Sequence, residues 1–274
     1  MILIDDTPDF SKNSVNYPKN KPCRSMDHVL EDLPGKMIVF EGLDGAGKST
    51  QIKLLKKHLD WHNIRVEKHS YKQSSTVYHA VLKGKWENFD PYTSTLIFLA
   101  GITDTLARSI IPALQDGKTV LMDRYVYTLL VRALARNVSG QFLQVLDSLR
   151  EPDLIIYMDI DEQEAIKRKG LVSEEQVSYW EAGCDLELST SKIENWFLYQ
   201  RIIRKEYIEL FKEKPNCILI DSSTDKDTVH ESLQIKSQAP NGTCCKEIWQ
   251  KVGRKKCSTN KPPQSAGLKR EKRK

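Results

Sequence analysis

Met37-Ile38-Val39-Phe40-Glu41-Gly42-Leu43-Asp44-Gly45-Ala46-Gly47-Lys48-Ser49-Thr50 is the stretch that decides the fold of this chain. From Gly42 it reads Gly, four residues, then Gly-Lys-Ser, which is the spacing of a phosphate-binding loop, set between a strand-like apolar run and a helix-like one. Phosphate charge must be met by donors at close range. Glycines let the backbone wrap with its N–H groups inward, at a helix N-terminus whose dipole also favours anions. Gly42, Leu43, Asp44, Gly45, Ala46, Gly47, Lys48, Ser49 and Thr50 therefore read as a cradle for a nucleoside triphosphate with Mg²⁺. Lys48 is expected to reach the β- and γ-phosphates, and the Ser49 hydroxyl to ligate the metal.

Working outward, Ile52, Leu55 and Leu59 repeat at helical spacing to about Trp61. A strand at 65–70 follows, then a short helix at 77–83 and a long one from Tyr92, in which Pro112 opens a final turn. Thr119-Val120-Leu121-Met122-Asp123 reads as a strand, 127–149 as a helical region broken near 137–140, and Asp153 to Asp159 as a near-continuous apolar strand. Helices at 162–169 and 192–212 flank a polar segment that runs through Ser189. A last strand at 217–221 and a helix at 226–233 close the pattern. Strands alternating with helices predict an α/β fold, a three-layer doubly wound P-loop domain with a five-stranded parallel sheet. Ligands of such sheets bind beyond the strands' carboxyl ends, where the loop, Asp123-Arg124 and Asp159 all lie.

Residues 1–35 are polar and hold four prolines, so they read as a loosely ordered extension before a domain spanning 36–236. Residues 246–274 hold eleven Lys or Arg against two Glu, a net of +9, which leaves −4 for the rest of a chain whose total is +5. The basic character thus sits in a disordered tail, 237–274. Its runs have the composition that contacts nucleic acid or acidic membrane, or serves as a nuclear signal. Apolar runs of about 18 residues are absent, which argues against a transmembrane helix, and the first residues lack the pattern of a signal peptide. The six cysteines show no C-x-x-C spacing and read as reduced thiols of a cytoplasmic protein. His58 and His62 have a zinc-compatible spacing but no third ligand, and read as a surface helix end.

An acidic residue closing an apolar strand, as in Val120-Leu121-Met122-Asp123, suits a second metal contact, so Ser49 and Asp123 are the candidate Mg²⁺ ligands. Arg124 beside it can clamp a phosphate bidentately. Together, Phe40 to Thr50, Asp123-Arg124-Tyr125 and Pro152 to Asp159 resemble the thymidylate kinases, over about residues 36 to 235. The resemblance implies transfer of the ATP γ-phosphoryl to a nucleoside monophosphate, usually dTMP, and a homodimer. By motif match, Asp44 lies near the acceptor's phosphate and sugar, Arg124 holds the transferring or acceptor phosphate, and Phe98 stacks on the base; Tyr125 and Tyr127 read as pocket wall, because phosphoryl transfer needs positioning more than a strong base. The loop has Ala46 where some members carry a transition-state arginine. The lid, from about Arg168 to Ser189, is then expected to supply it, as Arg168.

Two departures stand out. The segment after the second strand, His69-Ser70-Tyr71-Lys72-Gln73-Ser74-Ser75, holds no arginine for the acceptor phosphate, so Lys72 or the serines substitute. The base-reading Phe-x-Ala-x-Arg is Phe98-Leu99-Ala100-Gly101-Ile102, and loss of a buried donor implies another acceptor or weaker discrimination. Tyr179 to Leu186 resembles a divergent branch of the family. Three readings stay open: a nucleoside monophosphate kinase; a catalytically degenerate kinase fold used for binding; and a P-loop NTPase or switch, although no Asn-Lys-x-Asp guanine signature is present.

Overall fold

The computed structural model describes residues 33–71, 75–86, 89–138, 145–146, 149–171 and 173–237. The expectations for residues 1–32, for Lys72 and for the tail from 238 onward fall outside these. Five strands, β1 (Lys36–Gly42), β2 (Val66–Ser70), β3 (Thr119–Asp123), β4 (Leu154–Asp159) and β5 (Cys217–Asp221), pair in parallel in the order β2-β3-β1-β4-β5. The sheet is thus the five-stranded parallel one expected. Met37 to Phe40, Val120 to Met122 and Ile155 to Tyr157 are almost wholly buried, as strands covered on both faces must be. β2 and β5 form the edges and are only partly buried. The chain passes to β2 and β3 on one side of β1 and to β4 and β5 on the other. Strand order therefore reverses at β1, whose carboxyl end carries the phosphate loop.

The helices are α1 (Lys48–Trp61), α2 (Ser75–Trp86), α3 (Pro91–Thr105), α4 (Ile111–Gln115), α5 (Val126–Leu134), α6 (Glu162–Lys169), α7 (Tyr179–Ala182), α8 (Lys192–Phe211) and α9 (Lys226–Ser237). α1 packs against α9, and α5 packs against both α3 and α8. Ile52, Leu55 and Leu59 are wholly buried, so the periodicity read from α1 is its core face. α3 starts on Asp90, whose carboxylate accepts from the N–H groups of Tyr92 and Thr93, with Pro91 in the first turn. Between α3 and α4 lies a single π-turn, Leu106–Ile110. Pro112 has no N–H to offer the carbonyl four residues back, and the ladder widens there.

Several expectations are corrected. Although no apolar run reaches 18 residues, the long helix expected from Tyr92, Pro91–Gln115, is long and apolar enough by length and composition to cross a membrane. Here Leu99, Ile102, Leu106 and Ile110 are spent on the core instead. The break expected near 137–140 in the helical region comes slightly earlier: α5 ends at Leu134, in a turn whose Asn137 adopts φ +52°. Gly35 already belongs to the fold, since its N–H donates to the Leu114 carbonyl at 2.9 Å. His62 is buried rather than exposed, its ring packed on that of His58 where α9 brings up His230. Among the described residues no cluster suited to a metal ion is found, and Cys184 and Cys217 are free thiols.

Candidate active site

The loop between β1 and α1 encloses a cavity of about 330 Å³, lined by Asp44, Lys48, Ser49, Tyr71, Asp123 and Arg124 among others. Its tightness explains its glycines. At Gly45, φ is +96° and an added Cβ would lie 2.6 Å from the Ala165 carbonyl oxygen of α6, so no side chain fits there without moving that helix. The Lys48 ammonium donates to the carbonyls of Gly42 and Leu43 at 3.1 and 2.6 Å. Burial, with the neighbouring Arg124 charge, pushes it down to about 7 against the pull of Asp44, Asp123 and Glu41. A buried cation held this far below its ordinary range is stabilised by an arriving phosphate.

Ser49 Oγ donates to Asp123 Oδ2 at 2.9 Å. The two expected metal contacts are thus brought together from α1 and β3, and a hydroxyl with a carboxylate is a hard-oxygen set that fits Mg²⁺. Arg124 follows β3 at φ +64°, an uncommon conformation for a residue with a side chain. Its N–H donates to the Phe40 carbonyl at 3.0 Å, and its guanidinium donates to Asp44 at 2.5 Å, Thr128 at 3.2 Å and Tyr207 at 3.4 Å. Beneath it lies Glu41, wholly buried, which accepts from the Tyr125 N–H and from the hydroxyls of Thr128 and Tyr207 at 2.7 to 2.8 Å. Burial raises the Glu41 pKa despite the Arg124 charge and these donors. Burial also pushes the Asp44 carboxyl upward, but Arg124, Lys48, Arg132 and Lys169 outweigh it and hold Asp44 far below the usual carboxylate range.

Tyr71 also belongs to a second, more apolar cavity of about 360 Å³, walled by Phe98 and Thr95 of α3, Leu129 and Arg132 of α5, and the α7 segment Ser178 to Glu181. This is room for a nucleoside. Phe98 thus stands at its wall, its ring 5.9 Å from that of Tyr71. Ile102 does not: one turn further along α3, it is wholly buried in the core. The α7 segment is fastened in place. Arg136 makes paired bonds to Asp185 at 2.7 and 2.9 Å and a further one to the Tyr199 hydroxyl, while Asn195 donates to the Ala182 carbonyl at 2.7 Å.

Two site residues depart from the sequence reading, and several others escape it. Arg168 does not point at the phosphates: its guanidinium is taken up by Glu164 and by the carbonyls of Ser222, Ser223 and Thr224, which follow β5. Of the basic run ending α6 it is Lys169 whose charge reaches Asp44, and its ammonium lies 3.3 Å from Glu181. Tyr125 is no pocket wall, because its ring is buried and its hydroxyl donates to the Arg150 carbonyl at 3.0 Å. Lys72 lies outside the described residues. Sequence reasoning missed Arg132, Arg136 and Glu41. The signal for the first two was present: Arg124, Thr128, Arg132 and Arg136 recur every four residues through an otherwise apolar stretch.

Two cavities that meet at one tyrosine leave room for two nucleotides phosphate to phosphate, and the class that this fold and site define is that of the P-loop nucleotide kinases. Comparison with known proteins narrows it. The thymidylate kinase family profile matches residues 40–233. A thymidylate kinase from a Thermoanaerobacter species is 31% identical over 211 residues, 73% of this chain and 96% of that protein. A probable thymidylate kinase 2 from Saccharolobus solfataricus is 33% identical over 196 residues, 70% and 90% of the two chains. One from Chlorobium limicola is 27% identical over 217 residues, 74% and 96%. The chain belongs to the thymidylate kinase family, and is accordingly a phosphotransferase that uses ATP to phosphorylate a nucleoside monophosphate.

Proposed function

We propose that the acceptor is dTMP and that the chain makes its diphosphate at the expense of ATP. The observation that carries this is that the phosphate cradle shares Tyr71 as a lining residue with an apolar cavity of nucleoside size. The loop amides from Gly42 to Ser49 and the Lys48 ammonium hold the β- and γ-phosphates. Ser49 and Asp123 hold Mg²⁺, which when bound neutralises charge on the transferring group. Arg124 stays ionised and, fixed by Glu41 through Thr128 and Tyr207, faces the phosphates with Asp44 beside it. The α7 segment walls the acceptor from water, where fixed donors act most strongly. The resemblance extends the proposal to a homodimer in the cytoplasm.

An acceptor screen tests it. With ATP and Mg²⁺, kcat/KM is highest for dTMP among dTMP, dUMP, UMP, CMP, dCMP, AMP and GMP. Its lead over dUMP is set by one methyl group in an apolar pocket, roughly 10- to 200-fold. A lead for a purine monophosphate, or ATP turnover indifferent to all seven, contradicts the reading.

A further inference from the structure

The arginines that the family resemblance places on the acceptor are absent from both of their places. The described part of the segment after β2 holds none, and the position on α3 is Ile102, buried in the core. The acceptor cavity nonetheless holds two cations, Arg132 and Arg136, beside one acid, Glu181. Arg124, Arg132 and Arg136 lie along one line from the foot of α5 to just past its end, at intervals that keep them on one face.

The three differ in what already occupies them. Arg124 at the phosphate end is bonded to Asp44, Thr128 and Tyr207. Arg136 at the far end is committed to Asp185, Tyr199 and the Arg132 carbonyl, and so to holding the α7 segment. Arg132 stands between them. Its carboxylate partner, Asp44 Oδ2, is 3.9 Å away, beyond hydrogen-bond distance, and 26% of the side chain is exposed. It lines the nucleoside cavity, while Asp44, whose charge acts on it, lines the phosphate cradle, and Tyr71 lines both. A guanidinium at the border of the two cavities, ion-paired only loosely, is placed where a monophosphate seated in the nucleoside cavity presents its phosphate.

We propose that Arg132 grips the acceptor phosphate and takes over the task of the arginine missing after β2. This rests on the reading of the larger cavity as the acceptor site. Its planar fork can bond two phosphate oxygens at once while Asp44 keeps it from swinging into the cradle. Arg132 then selects nucleotides over nucleosides, and base choice is left to the apolar wall.

The test is a cycle that truncates the residue and the ligand separately. Wild type, R132A, R132Q and R132K are titrated calorimetrically with the monophosphate that the wild type phosphorylates and with its parent nucleoside, so that base identity does not enter. R132A is expected to lose roughly 10- to 100-fold in monophosphate affinity. Nucleoside affinity and KM for ATP are expected to stay within about twofold. R132K recovers part of the loss, because lysine restores charge but not the paired bonds. R132Q keeps most of the side-chain volume and carries the comparison if R132A does not fold. Equal losses for monophosphate and nucleoside make Arg132 a structural wall and overturn the proposal, as does unchanged monophosphate affinity. A wild type that phosphorylates no monophosphate overturns the acceptor reading and this inference together. A wild type that does so, with variants that bind like it, overturns the inference alone.

Discussion

Lys48 sits where burial and the Arg124 charge work against three nearby carboxylates, and its ammonium is held near pH 7 rather than in the usual lysine range. The sign of the consequence follows from linkage. Between pH 7 and about 10.4 the unfolded chain keeps this proton while the folded chain does not, so across that window the Lys48 contribution to stability rises with pH. ATP brings charge that restores the ammonium, and its binding takes up a proton in the same window. At pH 8, calorimetry in two buffers of different ionisation heat is expected to show uptake approaching one proton per ATP, falling toward zero at pH 6. Equal binding heats in the two buffers at pH 8 contradict the electrostatics described. Asp44 and Arg124 behave oppositely. Each holds the other in its charged form, so their ion pair persists through this range.

At the scale of elements, the α7 segment is built to stay against the acceptor cavity. Gly183 turns the chain at φ +64° over Tyr199, and a Cβ there would lie 2.6 Å from the ring. Asp185 hooks the segment to Arg136 with both side chains largely buried, at 14% and 8% exposure respectively. Asp185→Asn leaves a buried guanidinium short of its counter-charge, a change that costs about 3 kcal/mol. The expected result is a raised KM for the acceptor and an unchanged KM for ATP in steady-state kinetics; a parallel rise in both would place Asp185 in general stability instead. How much of this was legible follows from which contacts are local. β1, β3 and β4 could be read because short apolar runs ending in Gly42, Asp123 and Asp159 are continuous and self-contained. The place of Arg168 could not, because the carbonyls that take its guanidinium arrive from residues more than fifty positions away. Tyr125 misled because its hydroxyl partner, the Arg150 carbonyl, lies beyond the break in the helical region read at 127–149. Arg132 and Arg136 were visible as spacing, but their use depends on α5 facing α3 and α8, which only the packed structure supplies.

At the scale of the whole molecule, a sheet that reverses order at β1 sets the phosphate loop beside Asp123 on one neighbour and Met158 on the other. The α3 and α5 helices then wall the second cavity alongside. The donor half follows from local sequence chemistry, whereas in the acceptor half the phosphate grip is assigned to α5 in place of the arginine missing after β2. The central claim is that one phosphoryl group passes between two nucleotides held in these adjoining cavities. Its most direct test is product analysis by phosphorus NMR, with ATP, Mg²⁺ and dTMP, on wild type and Lys48→Ala. The expected result is ADP and dTDP formed one for one by wild type, with a rate at least about a hundredfold lower in the variant. ADP accompanied by inorganic phosphate with dTMP untouched, or a Lys48→Ala protein as active as wild type, would contradict it.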